Sequence, residues 1–205
     1  MEDKKITEKE SLELISQMIQ NSKKRMEIGS GNHFLFWGYF TAILSATLFS
    51  LVTLTGDPRW SIGWFMMFAA WIFIAWKKRK EHPVVVTYTD RIINNVWQLV
   101  GITFALTIVT ITAFGILQGK ASFILMLPLG LLYCGLGVSV TGIIIREPWL
   151  IYTPLLAFVC AIYMFMIFVL NESATNNWYL YFGLSFVIMM IIPGHILNNK
   201  AHRTC

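Results

Sequence analysis

The hydrophobic pattern divides the chain into one polar segment and six apolar runs. Residues 1–28 mix acids with bases and contain no continuous apolar stretch. Within them Leu12, Ile15, Ile19 and Met26 fall on one helical face, widened by Leu14 and Met18. Thr7 and Glu10 have the spacing of a capping box, in which each side chain satisfies a free backbone N–H of the first turn. Glu8, Glu10 and Glu13 come early and Lys23, Lys24 and Arg25 late, the order that suits a helix dipole. Gly29-Ser30-Gly31-Asn32 is expected to break this helix, so that an amphipathic helix and glycine-rich hinge occupy residues 1–32.

The six runs are about Phe34–Leu54, Trp60–Trp76, Val96–Leu117, Ala121–Ile145, Trp149–Leu170 and Trp178–Leu197. Each approaches the ~20 residues that carry a helix across a ~30 Å hydrocarbon core. None contains Asp, Glu, Lys or Arg. Thr55-Gly56-Asp57-Pro58 is a turn that makes a hairpin of the first two spans. The expected fold is all-α: a polytopic six-helix transmembrane bundle over residues 33–198. A short cytoplasmic amphipathic helix precedes it, and a cytoplasmic tail at 199–205 follows.

Composition supports this reading. Charged residues are 13% of the chain, about half the share in a soluble domain. The net charge of +5 gathers at span ends and reads as a topology signal. No basic stripe with interleaved aromatics stands free of the spans, so no nucleic-acid partner is expected. Nothing in residues 1–28 resembles a cleavable signal sequence, and the first span is expected to direct insertion.

Counting Lys and Arg gives the orientation. Lys4, Lys5, Lys9, Lys23, Lys24, Arg25, Lys77, Lys78, Arg79, Lys80, Arg91, Arg146, Lys200 and Arg203 fall on one side, and only Arg59 and Lys120 on the other. The positive-inside rule puts the rich side, with both termini, in the cytoplasm. Trp37, Trp76, Trp97 and Trp149 then lie at cytoplasmic span ends and Trp60 and Trp178 at outer ends. The interface suits an indole, whose ring is apolar and whose N–H needs an acceptor.

Two stripes of small residues are candidate helix-packing faces: Gly38, Ala42, Ala46 and Ser50 in span 1, and Gly135, Ser139 and Gly142 in span 4. Such stripes let backbones approach, within one bundle or across a dimer. Pro128, Pro154 and Pro193 interrupt spans 4, 5 and 6, and Pro193-Gly194 is placed to end the last. His33 and His195 open span 1 and close span 6, near enough in topology to meet. No acid or Cys accompanies them at helical spacing, so no metal site is expected. Glu147 is expected to pair with Arg146 or water. Cys134 and Cys160 read as small apolar side chains, and Cys205 has no prenylation context.

The absences bear on function. No ionisable residue stands mid-membrane, where ion-coupled carriers keep theirs. No metalloprotease motif, activated serine or P-loop is present, and neither catalytic residues nor a cofactor are expected. Glu10-Ser11-Leu12-Glu13-Leu14-Ile15, Met18-Ile19, Gly29-Ser30-Gly31-Asn32, Phe34-Leu35 and Trp37-Gly38-Tyr39 resemble the opening of small multi-pass membrane proteins of Bacteroidetes bacteria. The resemblance implies a bacterial inner-membrane location and carries no catalytic residue over.

The expected function is a non-enzymatic interaction or regulatory protein. Besides the lipid bilayer, its expected partner is another protein or a second copy, engaged through the face of Leu12, Ile15, Ile19 and Met26. The alternative is a small transporter, or a transporter's membrane subunit, for a neutral or hydrophobic solute. Six spans, proline breaks and polar positions such as Thr103, Thr107, Thr110 and Thr112 would permit its path.

Overall fold

The structure is a computed structural model that describes residues 8–80, 88–119, 123–170 and 174–203; the side chains at 8–11, 14, 15, 17–30, 77–80 and 201–203 lie outside that description. Among the described residues every regular element is helical. Helix α1 covers Glu8–Thr55. A 3-10 segment, Pro58–Phe65, leads into α2, Met66–Lys80. Helix α3 is Tyr88–Gln118. A short 3-10 turn, Phe123–Leu125, precedes α4, Met126–Ile145, and α5 is Pro148–Val169. The last span is composite: α6 Asn177–Phe186, a π turn Val187–Ile191, and α7 Ile192–Arg203.

Six helical stretches are long and apolar enough to cross a membrane: Gly31–Thr55, Pro58–Trp76, Tyr88–Gln118, Phe123–Ile145, Pro148–Val169 and Asn177–Lys200. They match the six expected runs to within a few residues, except at the start of span 3, where the helix begins at Tyr88, outside the apolar run.

The expected break at Gly29–Asn32 is not there. Helix α1 is 48 residues long and runs through it without interruption, about 72 Å at 1.5 Å per residue. A glycine inside a helix costs only about 1 kcal/mol, and Gly31 is used for contact. A Cβ there would run into the Asn198 side chain and lie 3.0 Å from the carbonyl oxygen of Gly194. Gly31 therefore lets α1 and α7 approach instead of ending α1.

Pro193-Gly194 likewise does not end the last span, because α7 continues to Arg203. Proline lacks an N–H, and its ring presses on the carbonyl four residues back. The chain widens into the π turn just before it, with the Ile192 N–H bonded to the carbonyl of Val187.

The core lies among α1, α4, α5 and the composite last span. Leu131, Val138, Ala161, Met164 and Met189 are fully enclosed there. Helix α1 contributes Gly31, Phe34, Gly38, Thr41, Ser45, Leu48 and Val52, alternating steps of three and four. That is the seam of two helices in left-handed packing. The 3-10 segment packs on α1, and α3 packs on α4. Spans 2 and 3 bury no residue, and they show large apolar side chains such as Trp71, Phe73, Leu106 and Val109. Such faces suit a lipid surround.

Candidate functional site

The two expected packing stripes behave differently. In α4, Gly142 brings its backbone against Leu150 and Ile151 of α5, and Gly135 faces the ring of Phe158. Ser139 Oγ donates to the Ile151 carbonyl at 3.3 Å. All three residues thus serve the contact between α4 and α5. In α1, Gly38 is buried against Met190 and Ile191 and Ala42 is half-buried, but Ala46 and Ser50 are exposed. A stripe with a four-residue step drifts about 40° per step around a 3.6-residue helix. By Ser50 it has left the seam, and the Ser50 hydroxyl turns back to the Ala46 carbonyl at 2.9 Å.

Several of the polar contacts between different helices lie along the seam between α1 and the last span. At the end nearer the chain termini, Asn198 Nδ2 donates to Asn32 Oδ1 at 2.7 Å. Tyr39 Oη and His195 Nε2 are 2.8 Å apart, and their rings meet edge-on. Trp37 Nε1 donates to His33 Nε2 at 3.2 Å. His33 and His195 therefore lie on neighbouring helices, each with an aromatic partner of its own. Among the described residues no group of three or more His, Cys, Asp or Glu side chains is placed to hold a metal ion.

Glu147 does not pair with Arg146. Its Oε2 lies 2.6 Å from Nζ of Lys200, beyond the last apolar residues of α7. Arg146 is instead the left-handed cap of α4, with φ of 59°. The Glu147 N–H reaches back to Gly142 and the Arg146 N–H to Ile143. This is a Schellman turn with arginine where glycine is usual.

Farther along the seam, Ser45 Oγ donates to the Tyr179 carbonyl. Ser61 and Tyr179 share a hydroxyl–hydroxyl bond of 2.6 Å. Trp178, at the start of the last span, is 1% exposed and belongs to the core. Trp60, Trp76 and Trp149 are exposed. Trp97 is half-buried against Phe34.

The threonines of α3 bond mainly within their own helix. Thr103, Thr107, Thr110 and Thr112 each donate to a carbonyl of their own helix, and Thr107 also meets Tyr133 Oη at 2.9 Å. Leu12 is exposed. The side chains of Ile15, Ile19 and Met26 lie outside the described part, as do all of His82 and Cys205 and the side chain of His202. Cys134 and Cys160 are unbridged thiols within α4 and α5.

These features define a class: an all-helical chain with six helices able to cross a membrane, held by a core of four spans. No family model, no curated protein and no solved structure matches the chain.

Proposed function

We propose that this is a non-enzymatic multi-pass protein of a bacterial cytoplasmic membrane, with both termini in the cytoplasm. It binds or regulates another protein through the part of α1 that precedes span 1. The observation that carries the reading is the unbroken helix Glu8–Thr55. Residues 8–30 extend about 35 Å beyond the span at 1.5 Å per residue. A partner gripping that extension acts on a rigid continuation of span 1. Span 1 in turn is joined to the last span by the Asn32–Asn198 and Tyr39–His195 bonds. The partner-facing residues are Leu12, Ile15, Ile19 and Met26, four apolar side chains at helical spacing in a segment rich in charged and polar residues.

The test is recovery of co-purifying proteins from native membranes with the wild-type chain and with the double variant I15D/I19D. Insertion and yield should be equal. A protein partner, or a second copy carrying a different tag, should be recovered with the wild type and lost with the variant. Equal recovery by both would overturn the reading. A transporter of neutral or hydrophobic solutes is the second reading. It draws on the π turn and Pro193 inside the last span, since π turns often mark functional positions. Solute flux in proteoliposomes would support it.

A further inference from the structure

Helix α2 closes on the run Lys77-Lys78-Arg79-Lys80. Four consecutive residues at about 100° steps encircle a helix axis, so what surrounds α2 decides what these cations meet. Span 2 buries no residue. Trp71, Ile72 and Phe73 follow one another and are all exposed, and so is Trp76 just before the run. Lipid therefore reaches α2 on most sides.

The height of the run follows from the contacts of α1. Gly63 packs on Leu48, and Met67 Sδ lies 3.8 Å from Thr41 Oγ1, so α1 and α2 run antiparallel. Residues 77–80 come about 15–20 Å beyond Met67 at 1.5 Å per residue. The same distance back along α1 from Thr41 reaches residues 28–31, and span 1 begins at Gly31. The run is level with the edge of the apolar spans, the depth of phospholipid headgroups. The bond between Asn32 and Asn198 puts Lys200 and Glu147 at that height too, and there Glu147 is taken by Lys200. Asp90 precedes Trp97, whose ring meets Phe34 of α1, and lies about 10 Å farther out at 1.5 Å per residue. In the sequence Glu81 alone adjoins the run, so four cations stand beside one acid. A surplus of positive charge at headgroup depth, on a helix set in lipid, complements an anionic headgroup.

We infer that the last turn of α2 is a binding site for anionic glycerophospholipid, held through its headgroup by Lys77, Lys78, Arg79 and Lys80. Phosphatidylcholine carries a cation of its own beside its phosphate and competes poorly. The test places the full chain in nanodiscs of dioleoylphosphatidylcholine with a minority of dioleoylphosphatidylglycerol. Both leaflets then hold the same mixture, so the direction of insertion has no influence. Native mass spectrometry of the released protein gives the phosphatidylglycerol share of the retained lipid. Wild type should exceed the share in the disc by about fivefold, the effect of one cation close to an anionic surface. K77Q/K78Q/R79Q/K80Q should fall to the share in the disc, and K23Q/K24Q/R25Q should behave as wild type. No enrichment with wild type, or equal enrichment with the α2 variant, would overturn the inference. A second measurement needs no variant. Lysine acetylation of the wild-type protein, read peptide by peptide, should be slower at Lys77, Lys78 and Lys80 in mixed discs than in pure phosphatidylcholine. High salt should remove the difference. Equal slowing at Lys200, which stands at the same height, would mean that only the general surface potential acts, and would refute the site.

Discussion

Alanine in place of Gly142 is expected to destabilise the bundle, and the structure gives a size for the effect. A Cβ at 142 would sit 2.8 Å from the amide nitrogen of Ile151 and 2.8 Å from the carbonyl carbon of Leu150. Those are backbone atoms of the first turn of α5, fixed one short connection away, and they cannot rotate aside as a side chain can. Overpacking of this kind costs about 1–3 kcal/mol. Against it stands the gain of up to about 1 kcal/mol from replacing a helical glycine. Gly101, in α3, separates the two. A Cβ there meets nothing within 4 Å, so G101A keeps the propensity gain and carries no steric cost. Subtracting one variant from the other cancels propensity and leaves the clash, about 2 kcal/mol. For a chain of this size that is about 4–8 °C in melting temperature. The assay is thermal unfolding followed by circular dichroism, both proteins in the same detergent. G142A should melt below wild type and G101A at or above it. If G142A melted as high as G101A, the close approach of α4 and α5 at this position would be refuted.

The ion pair between Glu147 and Lys200 has one half-exposed and one mostly buried side chain, and pairs of this kind are worth about 0–1 kcal/mol. A double-mutant cycle with E147Q and K200A, read by the same melts, should return a coupling inside that range; a value of several kcal/mol would mean the pair is the main clamp of that corner. Orientation is tested by single cysteines in a chain lacking its own. A membrane-impermeant maleimide should label T175C and spare S22C in intact cells, and the reverse result would invert the topology.

The six spans were legible because a run of about 20 apolar residues without charge has few other homes, and Thr55–Pro58 spelled out the first hairpin. The use of Gly135, Ser139 and Gly142 was legible in kind, since small residues at helical spacing announce close packing. Three things were not. Gly31 and Gly194 read as a helix breaker and a helix end because local propensity is all a sequence offers there. Their role is set by α7 lying against α1, a contact between residues more than 160 positions apart. The drift of the Gly38 stripe was computable from 3.6 residues per turn, but the true seam contains Phe34, Thr41 and Leu48, which composition does not mark. In spans 2 and 3 every face is apolar, so periodicity names no inward side. Nor could Trp178 be told by its place in the sequence from Trp60, which also opens an apolar run; only the fold puts it in the core.

Continuity of α1 makes the partner reading sensitive to helical phase, which gives it a sharp test. Hydrogen bonds between membrane helices average well under 1 kcal/mol each, so neither Asn32–Asn198 nor Tyr39–His195 holds α1 by strength. Together with Ser45 on the Tyr179 carbonyl and the close approach at Gly31, they fix its rotation, because a slip of one residue would lose all of them at once. Residues 8–30 inherit that rotation through an unbroken helix. One alanine inserted between Ser30 and Gly31 leaves every contact of the bundle untouched and turns the extension by about 100°. The face of Leu12, Ile15, Ile19 and Met26 then points away from its partner, and recovery should fall as it does for I15D/I19D. Seven inserted residues add about 10 Å but restore the phase to within about 20°, and recovery should return. Equal recovery with one and with seven would show that the junction swivels and that α1 does not work as a single rod.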